Sequence, residues 1–359
     1  MKLALTPARF PYRKFLLALL VSAVGGGIFY WAHLPLPWVL GPLTGCSIAA
    51  VLSVPLAAPP AIRAPMTSII GVTMGTTFSP DIIAQMPGWG ASILGLFVYL
   101  MISASICIAY FRYVARFDLR TAYFAGMPGG IVEMITLSDL YGGNIRKVSL
   151  VQAARILTMV FTLPFLVSLI SGADISARGR TGSSITELPP SAYLWVIGTA
   201  LLGLLLGRIA RLPAKWLMGP MLVSAAVHAF GLTEFRPPSE MVNLAQLIIG
   251  MTLGCRFAGV PAREILHTLM ISVGSVVLLL GTALISAYLV SRITDESVIS
   301  LILAYSPGGL AEMSLVALAL HAEVAFVVAH HLVRVFAVLT LAQPIFRLLQ
   351  HLSRNDRQH

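Results

Sequence analysis

Long apolar runs alternate with short polar connections along this chain. Six of these runs approach or exceed the ~20 residues that cross a bilayer as a helix. A helix also satisfies every backbone polar group in a region where no water can do so. The sequence therefore predicts an all-α integral membrane protein with spans at residues 15–32, 91–110, 148–170, 194–209, 269–290 and 324–341.

The chain also resembles itself at an offset of 178 or 179 residues. PWVLGPL falls on KWLMGPM, IIGVTMGTTF falls on IIGMTLGCRF, and AGMPGGIVEM falls on AYSPGGLAEM. Three collinear matches predict a duplication of one membrane unit. The predicted domains are membrane repeat 1 at 1–175, a linker at 176–190, membrane repeat 2 at 191–350 and a cytoplasmic tail at 351–359.

Composition supports a membrane location. Hydrophobic residues make up 57% of the chain and charged residues 11%, against about a quarter charged in a soluble domain. The net charge of +10 lies in short clusters between apolar runs, which is typical of topology signals and not of a nucleic-acid surface. The three cysteines stand singly inside apolar runs, without the spacing of a disulfide or zinc framework.

The positive charges favour one topology. Five crossings per repeat plus one broken or re-entrant PGG segment, with both termini cytoplasmic, place 18 of the 24 Lys and Arg residues inside and four outside. Six crossings per repeat would place 15 inside and seven outside. The positive-inside rule therefore predicts two inverted repeats of about five membrane helices each in a bacterial inner membrane. Inverted repeats with discontinuous helices are typical of secondary transporters.

Two PGG segments interrupt apolar runs at equivalent positions. Proline removes a backbone donor, and glycine permits positive φ, so neither segment continues an unstrained helix. A break at membrane depth is tolerated only where protein or a water-filled cavity surrounds it. A Pro-Gly kink that only lets helices pack is the alternative. Recurrence in both halves, each time with a carboxylate three residues later, favours a binding site.

Buried charges complete the candidate site. Glu133, Glu312, Arg155 and Arg334 are ionisable groups inside apolar segments, where a functional role is the default hypothesis. The alternatives are an ion pair within each half, or a carboxylate that caps loose amides of the broken helix. The predicted substrate-binding residues are Pro128, Gly129, Gly130, Glu133, Gln152, Arg155, Pro307, Gly308, Gly309, Glu312, His331 and Arg334.

Other motifs have structural interpretations. His321, His330 and His331 lie close in sequence, but only His331 matches a polar position, Gln152, in the other half. Hydrogen-bonded interior histidines are therefore favoured over a metal site, and we expect no metal or other cofactor. A GxxxG spacing in both halves predicts close helix packing. No Walker loop, dinucleotide fingerprint, G-x-S-x-G elbow or HExxH appears, so we expect no enzyme.

LGP near the start of each half, IGVTMG and IGMTLG in the middle, and MPGGIVEM and SPGGLAEM towards the end resemble the membrane AbrB family of bacteria. That family is defined by a duplicated membrane domain and differs from the small DNA-binding AbrB regulators. Its members have been labelled regulators of gene expression and also ammonia monooxygenases. A copper monooxygenase would need clustered ligands, and a direct transcription factor would need a soluble reading head; the sequence shows neither.

Three functions follow, in order of preference. The first is a secondary transporter of a small, anionic solute. The second is a membrane sensor that affects gene expression indirectly, and the third is a monooxygenase. The expected partners are the lipid bilayer and a small solute, with no nucleic acid. The sequence leaves the oligomeric state open, and a homo-oligomer is compatible with it.

Overall fold

The computed structural model describes residues 10–171, 183–320 and 322–355. This part of the chain is helical and contains no strand, which confirms the all-α prediction. Six of its helical segments are long and apolar enough to cross a membrane. Each contains most or all of one predicted run; the six are Tyr12–Trp31, Pro80–Val114, Ile145–Ile170, Pro190–Ile209, Ala262–Ser291 and Val324–Gln350.

The α-helices of the described residues are numbered in chain order. The first half contributes α1 (Tyr12–Trp31), α2 (Pro37–Val51), α3 (Pro60–Gly75), α4 (Pro80–Gln85), α5 (Gly90–Ala109), α6 (Leu119–Gly126), α7 (Ile131–Leu140) and α8 (Ile145–Ser171). The second contributes α9 (Pro190–Ile209), α10 (Lys215–Ala229), α11 (Ser239–Gly254), α12 (Ala262–Ser291), α13 (Val298–Tyr305), α14 (Leu310–Ala319) and α15 (Val324–Asn355).

Helix lengths follow the sequence offset. α2 and α10 have 15 residues each, and α3 and α11 have 16. At 1.5 Å per residue these four helices extend ~24 Å or less, which is shorter than a ~30 Å hydrocarbon core. The predicted break is present in both halves as a pair of short helices, α6 with α7 and α13 with α14, of eight and ten residues in each case.

Backbone conformation recurs at the same offset. Six residues with left-handed φ form three pairs that are 178 positions apart: His33 and Arg211, Leu36 and Ala214, and Ser53 and Gly231. Leu36 and Ala214 each precede the first turn of a matching helix, α2 and α10. Local backbone geometry is therefore the same in both halves although the side chains differ.

Ser53→Gly is expected to stabilise the protein. Ser53 is exposed and has φ of 61°, whereas the matching position is glycine, Gly231, with φ of 66°. A left-handed conformation costs a non-glycine residue about 1–2 kcal/mol, and the added flexibility of the unfolded chain offsets part of that gain. Thermal unfolding in detergent should show a higher midpoint for Ser53→Gly and a lower one for Gly231→Ser. A lower midpoint for Ser53→Gly would contradict this reasoning.

The described helices form two compact units, and each unit takes helices from both halves of the sequence. The first unit contains the described residues up to Pro80 and those from 183 to Ile265, which include α1–α3 and α9–α11. Inside it, α3 packs against α10, and α11 packs against α2. A Cβ added at Gly71 would meet the carbonyl oxygen of Leu217, and one at Gly250 would meet that of Val39. The predicted packing role of the GxxxG motifs is confirmed.

The second unit contains the described residues between Asp81 and 171 and those after Leu266, which include α5–α8 and α13–α15. Here α8 lies against α6, α7 and α14, while α15 lies against α13, α14 and α5. Both helix breaks therefore belong to one compact unit, and a long helix from each half, α8 or α15, supports the break of its own half.

Two predicted boundaries lie partly outside the described residues. Residues 1–9, 172–182, 321 and 356–359 are not described, so most of the predicted linker and the end of the tail are not tested. α9 begins at Pro190, one residue before the predicted start of repeat 2. α15 continues to Asn355, beyond the predicted boundary at 350.

Equivalent helix ends carry opposite charge. In the first half the residues around the starts of α6 and α8 include Arg116, Arg120, Arg146 and Lys147, whereas the equivalent ends of α13 and α15 carry Asp295, Glu296 and Glu323. Burial, followed by the charges of Glu323 and Asp295, raises the pKa of Glu296. Inverted repeats would produce this contrast, because equivalent ends would face opposite sides of the membrane.

The topology can be measured with inserted tags. A tag at residue 180 is expected to react with a periplasmic reagent, while tags near Arg116 and after Arg347 are expected to react only on the cytoplasmic side. The reason is the excess of Lys and Arg that the inverted arrangement places in the cytoplasm. A cytoplasmic tag at residue 180 would mean parallel repeats and would remove the main support for a transporter.

Candidate functional site

In the first half, a polar stripe on α8 binds the carbonyl end of α6. Gln152 donates through Nε2 to the carbonyl oxygens of Phe124 and Met127, at 2.9 and 3.2 Å. Arg155 donates to the Met127 carbonyl at 3.3 Å, and its Nη2 also donates to Oε1 of Gln152. The last carbonyls of a helix lack partners inside that helix, so this stripe satisfies backbone groups that the break exposes.

In the second half, α15 does the same for the end of α13. His331 lies with Nε2 3.1 Å from the carbonyl oxygen of Leu303. Arg334 donates through Nη1 to Ser306 and through Nη2 to Gly308, in both cases to the carbonyl oxygen at 2.6 Å. The polar side chains that we predicted on each stripe are therefore brought to the break of their own half.

The carboxylates occupy the other side of each break. Glu133 is the third residue of α7, and its Oε2 lies where a Cβ on Gly130 would be. Glu312 has the same relation to Gly309 at the start of α14. A carboxylate in the first turn interacts favourably with the positive end of a helix, by about 0.3–1 kcal/mol at exposed sites and more where it is partly buried. This position fits the capping alternative for both glutamates.

Methionine fills the space beside the first glycine of each motif. A Cβ added to Gly129 would lie 2.8 Å from Cε of Met134 and 2.9 Å from Cγ1 of Val338. Met313 takes the same place beside Gly308. Each part of PGGxxEM therefore has a local function: proline and glycine form the break, glutamate lies over the second glycine, and methionine packs on the first.

Positive φ is not the reason for these glycines. Gly130 and Gly309 have φ of −67° and −70°, which any residue adopts. Within the described part, the glycines with positive φ are Gly142, Gly231 and Gly259, outside both breaks. The expectation of left-handed backbone at the breaks was wrong, and close approach of neighbouring side chains explains the glycines instead.

Three buried nitrogens at the breaks lack hydrogen-bond partners among the described residues. They are Nε of Arg155, Nε of Arg334 and Nδ1 of His331. The two arginines are only 2% and 3% exposed, and His331 is 0% exposed. A buried polar atom without a partner costs about 1–3 kcal/mol and therefore needs a structural or functional explanation.

Tyr99 is the residue that sequence reasoning missed. It is fully buried on α5 and lies within electrostatic range of both Arg334 and Arg155. Its hydroxyl has Ser103 as a polar neighbour but no hydrogen bond of regular geometry within the described chain. The equivalent position in the second half is Leu278, so the repeat gave no signal for it.

Further polar side chains support Tyr99 from behind. Tyr305 stacks on Tyr99 with ring centroids 5.5 Å apart, and its hydroxyl donates to the carbonyl oxygen of Ser92 at 2.6 Å. His330 lies with Nε2 3.0 Å from Oγ of Ser92 and Nδ1 2.9 Å from the carbonyl oxygen of Phe326. His330 thus has the hydrogen bonds of an interior group.

The histidines form no metal cluster in the described part, where no group of three or more His, Cys, Asp and Glu side chains could hold a metal ion. His330 and His331 belong to separate hydrogen-bond networks. His321 lies outside the described residues, so its position in the predicted cluster is not tested.

Helices of membrane length, together with paired short helices whose breaks bind buried arginines, define a polytopic membrane protein with discontinuous helices. The family model described as "Transition state regulatory protein AbrB" matches residues 38–350. The chain therefore belongs to the AbrB family, as its doubled motifs predicted.

Two relatives cover nearly the whole chain. It is 31% identical to "Uncharacterized protein YhjN" of Bacillus subtilis (strain 168), over 92% of each chain. It is 25% identical to "Putative regulator AbrB" of Escherichia coli (strain K12), over 89% of this chain and 92% of the relative. The name of the second relative carries the regulatory label of the family.

Proposed function

We propose that this protein is a secondary transporter of a small anionic solute in the bacterial inner membrane, with both termini in the cytoplasm and no enzymatic activity. The observation that supports the solute class is the pair of buried arginines in one compact unit, each with an unpartnered Nε among the described residues. A guanidinium presents donors that match carboxylates and similar anions.

Electrostatics favours an anion over a cation. Arg155 and Arg334 are within electrostatic range of each other, and like charges repel strongly where little water screens them. An anion beside them would reduce this repulsion and would satisfy donors that the backbone carbonyls leave free. The helix amides at the breaks are less suitable for an anion, because Glu133 and Glu312 already lie over the first turns of α7 and α14.

Transport is supported by the form of the site. Discontinuous helices at equivalent places in two sequence repeats are the usual setting of solute sites in secondary transporters. Both guanidiniums are almost fully buried, so a solute could reach them only after a conformational change. Such a change, which opens the site alternately to either side of the membrane, is the step that a transporter requires.

A ligand screen tests the solute class directly. The full-length protein, purified in detergent, would be heated with acetate, lactate, succinate, citrate, phosphate, sulfate and ammonium in turn. Ligand at about 100 times its dissociation constant stabilises a folded protein by about 2.7 kcal/mol, which a thermal shift detects. We expect stabilisation by at least one anion and none by ammonium. Stabilisation by ammonium alone would contradict the anion assignment.

Transport itself needs a second measurement. Uptake of the stabilising anion, radiolabelled, would be followed in proteoliposomes that contain the protein and in empty vesicles. Binding without uptake would favour the second candidate, a membrane sensor that affects gene expression indirectly. The regulatory name of the Escherichia coli relative is the observation that favours this candidate.

A further inference from the structure

The two polar stripes differ at one position. Gln152 in the first half and His331 in the second each precede an arginine by three residues, so each lies on the same helix face as its arginine. Oε1 of Gln152 accepts a hydrogen bond from Arg155, so that both polar atoms of the amide are used. His331 instead keeps one ring nitrogen, Nδ1, without a partner in the described chain.

The other ring nitrogen fixes the tautomer of His331. Nε2 lies 3.1 Å from the carbonyl oxygen of Leu303, which can only accept, so Nε2 carries the hydrogen. In the neutral ring Nδ1 then bears a lone pair. A proton on Nδ1 would make it a donor, but it would also place a second cation beside Arg334, which is within electrostatic range. The protonated ring therefore needs an anion nearby.

We propose that His331 is the proton-binding site of this protein, and that an anion bound beside Arg334 is taken up together with one proton. The inference rests on the proposed anion site. The negative charge of the solute favours the imidazolium, and Nδ1–H of His331 then donates to the solute. One proton moves from water to Nδ1, and no other covalent bond changes. A monovalent anion and its proton would cross together without net charge.

Other titratable or charged groups near this part of α15 do not offer an equivalent proton site. Both ring nitrogens of His330 already have partners. The tyrosine hydroxyls and the cysteine thiol remain protonated near neutral pH, arginines remain charged, and the glutamate lies over the start of its own helix. These groups are Tyr99 and Cys107 on α5, Tyr305 on α13, Glu312 on α14 and Arg155 on α8.

Calorimetry on the wild-type protein measures the proton directly. Methanesulfonate and acetate would be titrated into the full-length protein between about pH 6 and pH 8, where both anions are ionised and histidine commonly titrates. Each titration would be run in two buffers with different ionisation enthalpies, because their difference gives the number of protons taken up. We expect one proton per anion. Affinity should rise as the pH falls, by up to about tenfold per pH unit in the range where uptake is complete.

His331→Gln copies the first half and removes the titratable ring. We expect this variant to lose proton uptake and pH dependence, with weaker anion binding at acidic pH than the wild type. His267→Gln is the matched control, because His267 is exposed on α12; it should keep the wild-type pH dependence. If His331→Gln does not fold, the proton count of the wild type still decides the question.

The outcomes separate this inference from the proposed function. Anion binding with no proton uptake and a flat pH profile would overturn proton coupling and leave an anion transporter. Proton uptake that persists in His331→Gln would overturn the assignment to His331. If no anion of the screening panel or of these two probes binds at any pH, the proposed function itself fails.

Discussion

Arg155→Gln and Arg334→Gln are each expected to abolish anion binding. Removal of one member of a buried, hydrogen-bonded charge pair costs about 2–5 kcal/mol, so the dissociation constant of the best anion should rise at least about thirtyfold. Thermal shift and calorimetry with that anion would measure the loss. Arg155→Lys and Arg334→Lys keep the charge but not the planar fork, so intermediate affinities are expected.

The arginines also hold backbone carbonyls, so stability must be measured alongside binding. Arg155 and Arg334 donate to the carbonyl oxygens of Met127 and of Ser306 and Gly308. Each variant should therefore unfold at a lower temperature without ligand, and a variant that still reaches the membrane and elutes as the wild type does gives a valid binding result.

The glutamate of the same break provides a second comparison. Arg155 donates to Gln152 and to backbone carbonyls, and Glu133 lies over Gly130. Adding Glu133→Gln to Arg155→Gln should therefore not restore binding, and Glu312→Gln should not rescue Arg334→Gln. If both double neutral variants bound and transported normally, these charges would be structural and the anion assignment wrong.

Gly129→Leu and Gly308→Leu are expected to abolish transport while the protein still inserts in the membrane. A Cβ at Gly129 would already press on Val338 and Met134, and a leucine at either glycine would displace the methionine that packs there. Overpacking of a close-packed site typically costs about 1–3 kcal/mol, and here it would also move the carbonyls that bind the arginines. Membrane content by immunoblot and uptake in proteoliposomes are the two measurements.

Gly27→Leu is the control for this effect. Gly27 is an exposed glycine of α1, and nothing lies within 4 Å of a Cβ added there. This variant should insert and transport as the wild type does. Normal transport by both Gly129→Leu and Gly308→Leu would support the simple packing kink, which was the alternative for the PGG segments.

The membrane spans and the breaks followed from the sequence because they depend on local chemistry. An apolar run of ~20 residues is stable across a bilayer only as a helix, and all six predicted runs are helical. A proline followed by two glycines ends a helix wherever it stands, and both pairs of short helices have their break there. The spacing of Gln152 and Arg155 likewise places them on one face of any helix that contains both.

What the sequence could not determine was the partner of each buried group. Glu133 and Arg155 look like an ion pair along the chain, but the guanidinium binds carbonyls and the carboxylate lies over Gly130. Tyr99 gave no signal, because a tyrosine in an apolar run is ordinary and its relation to the arginines depends on how α5 packs. The hydrogen bond from Tyr305 to Ser92 joins residues 213 positions apart. Periodicity and motifs report on neighbours within a few turns, whereas only the packing of helices from both halves brings such distant groups together.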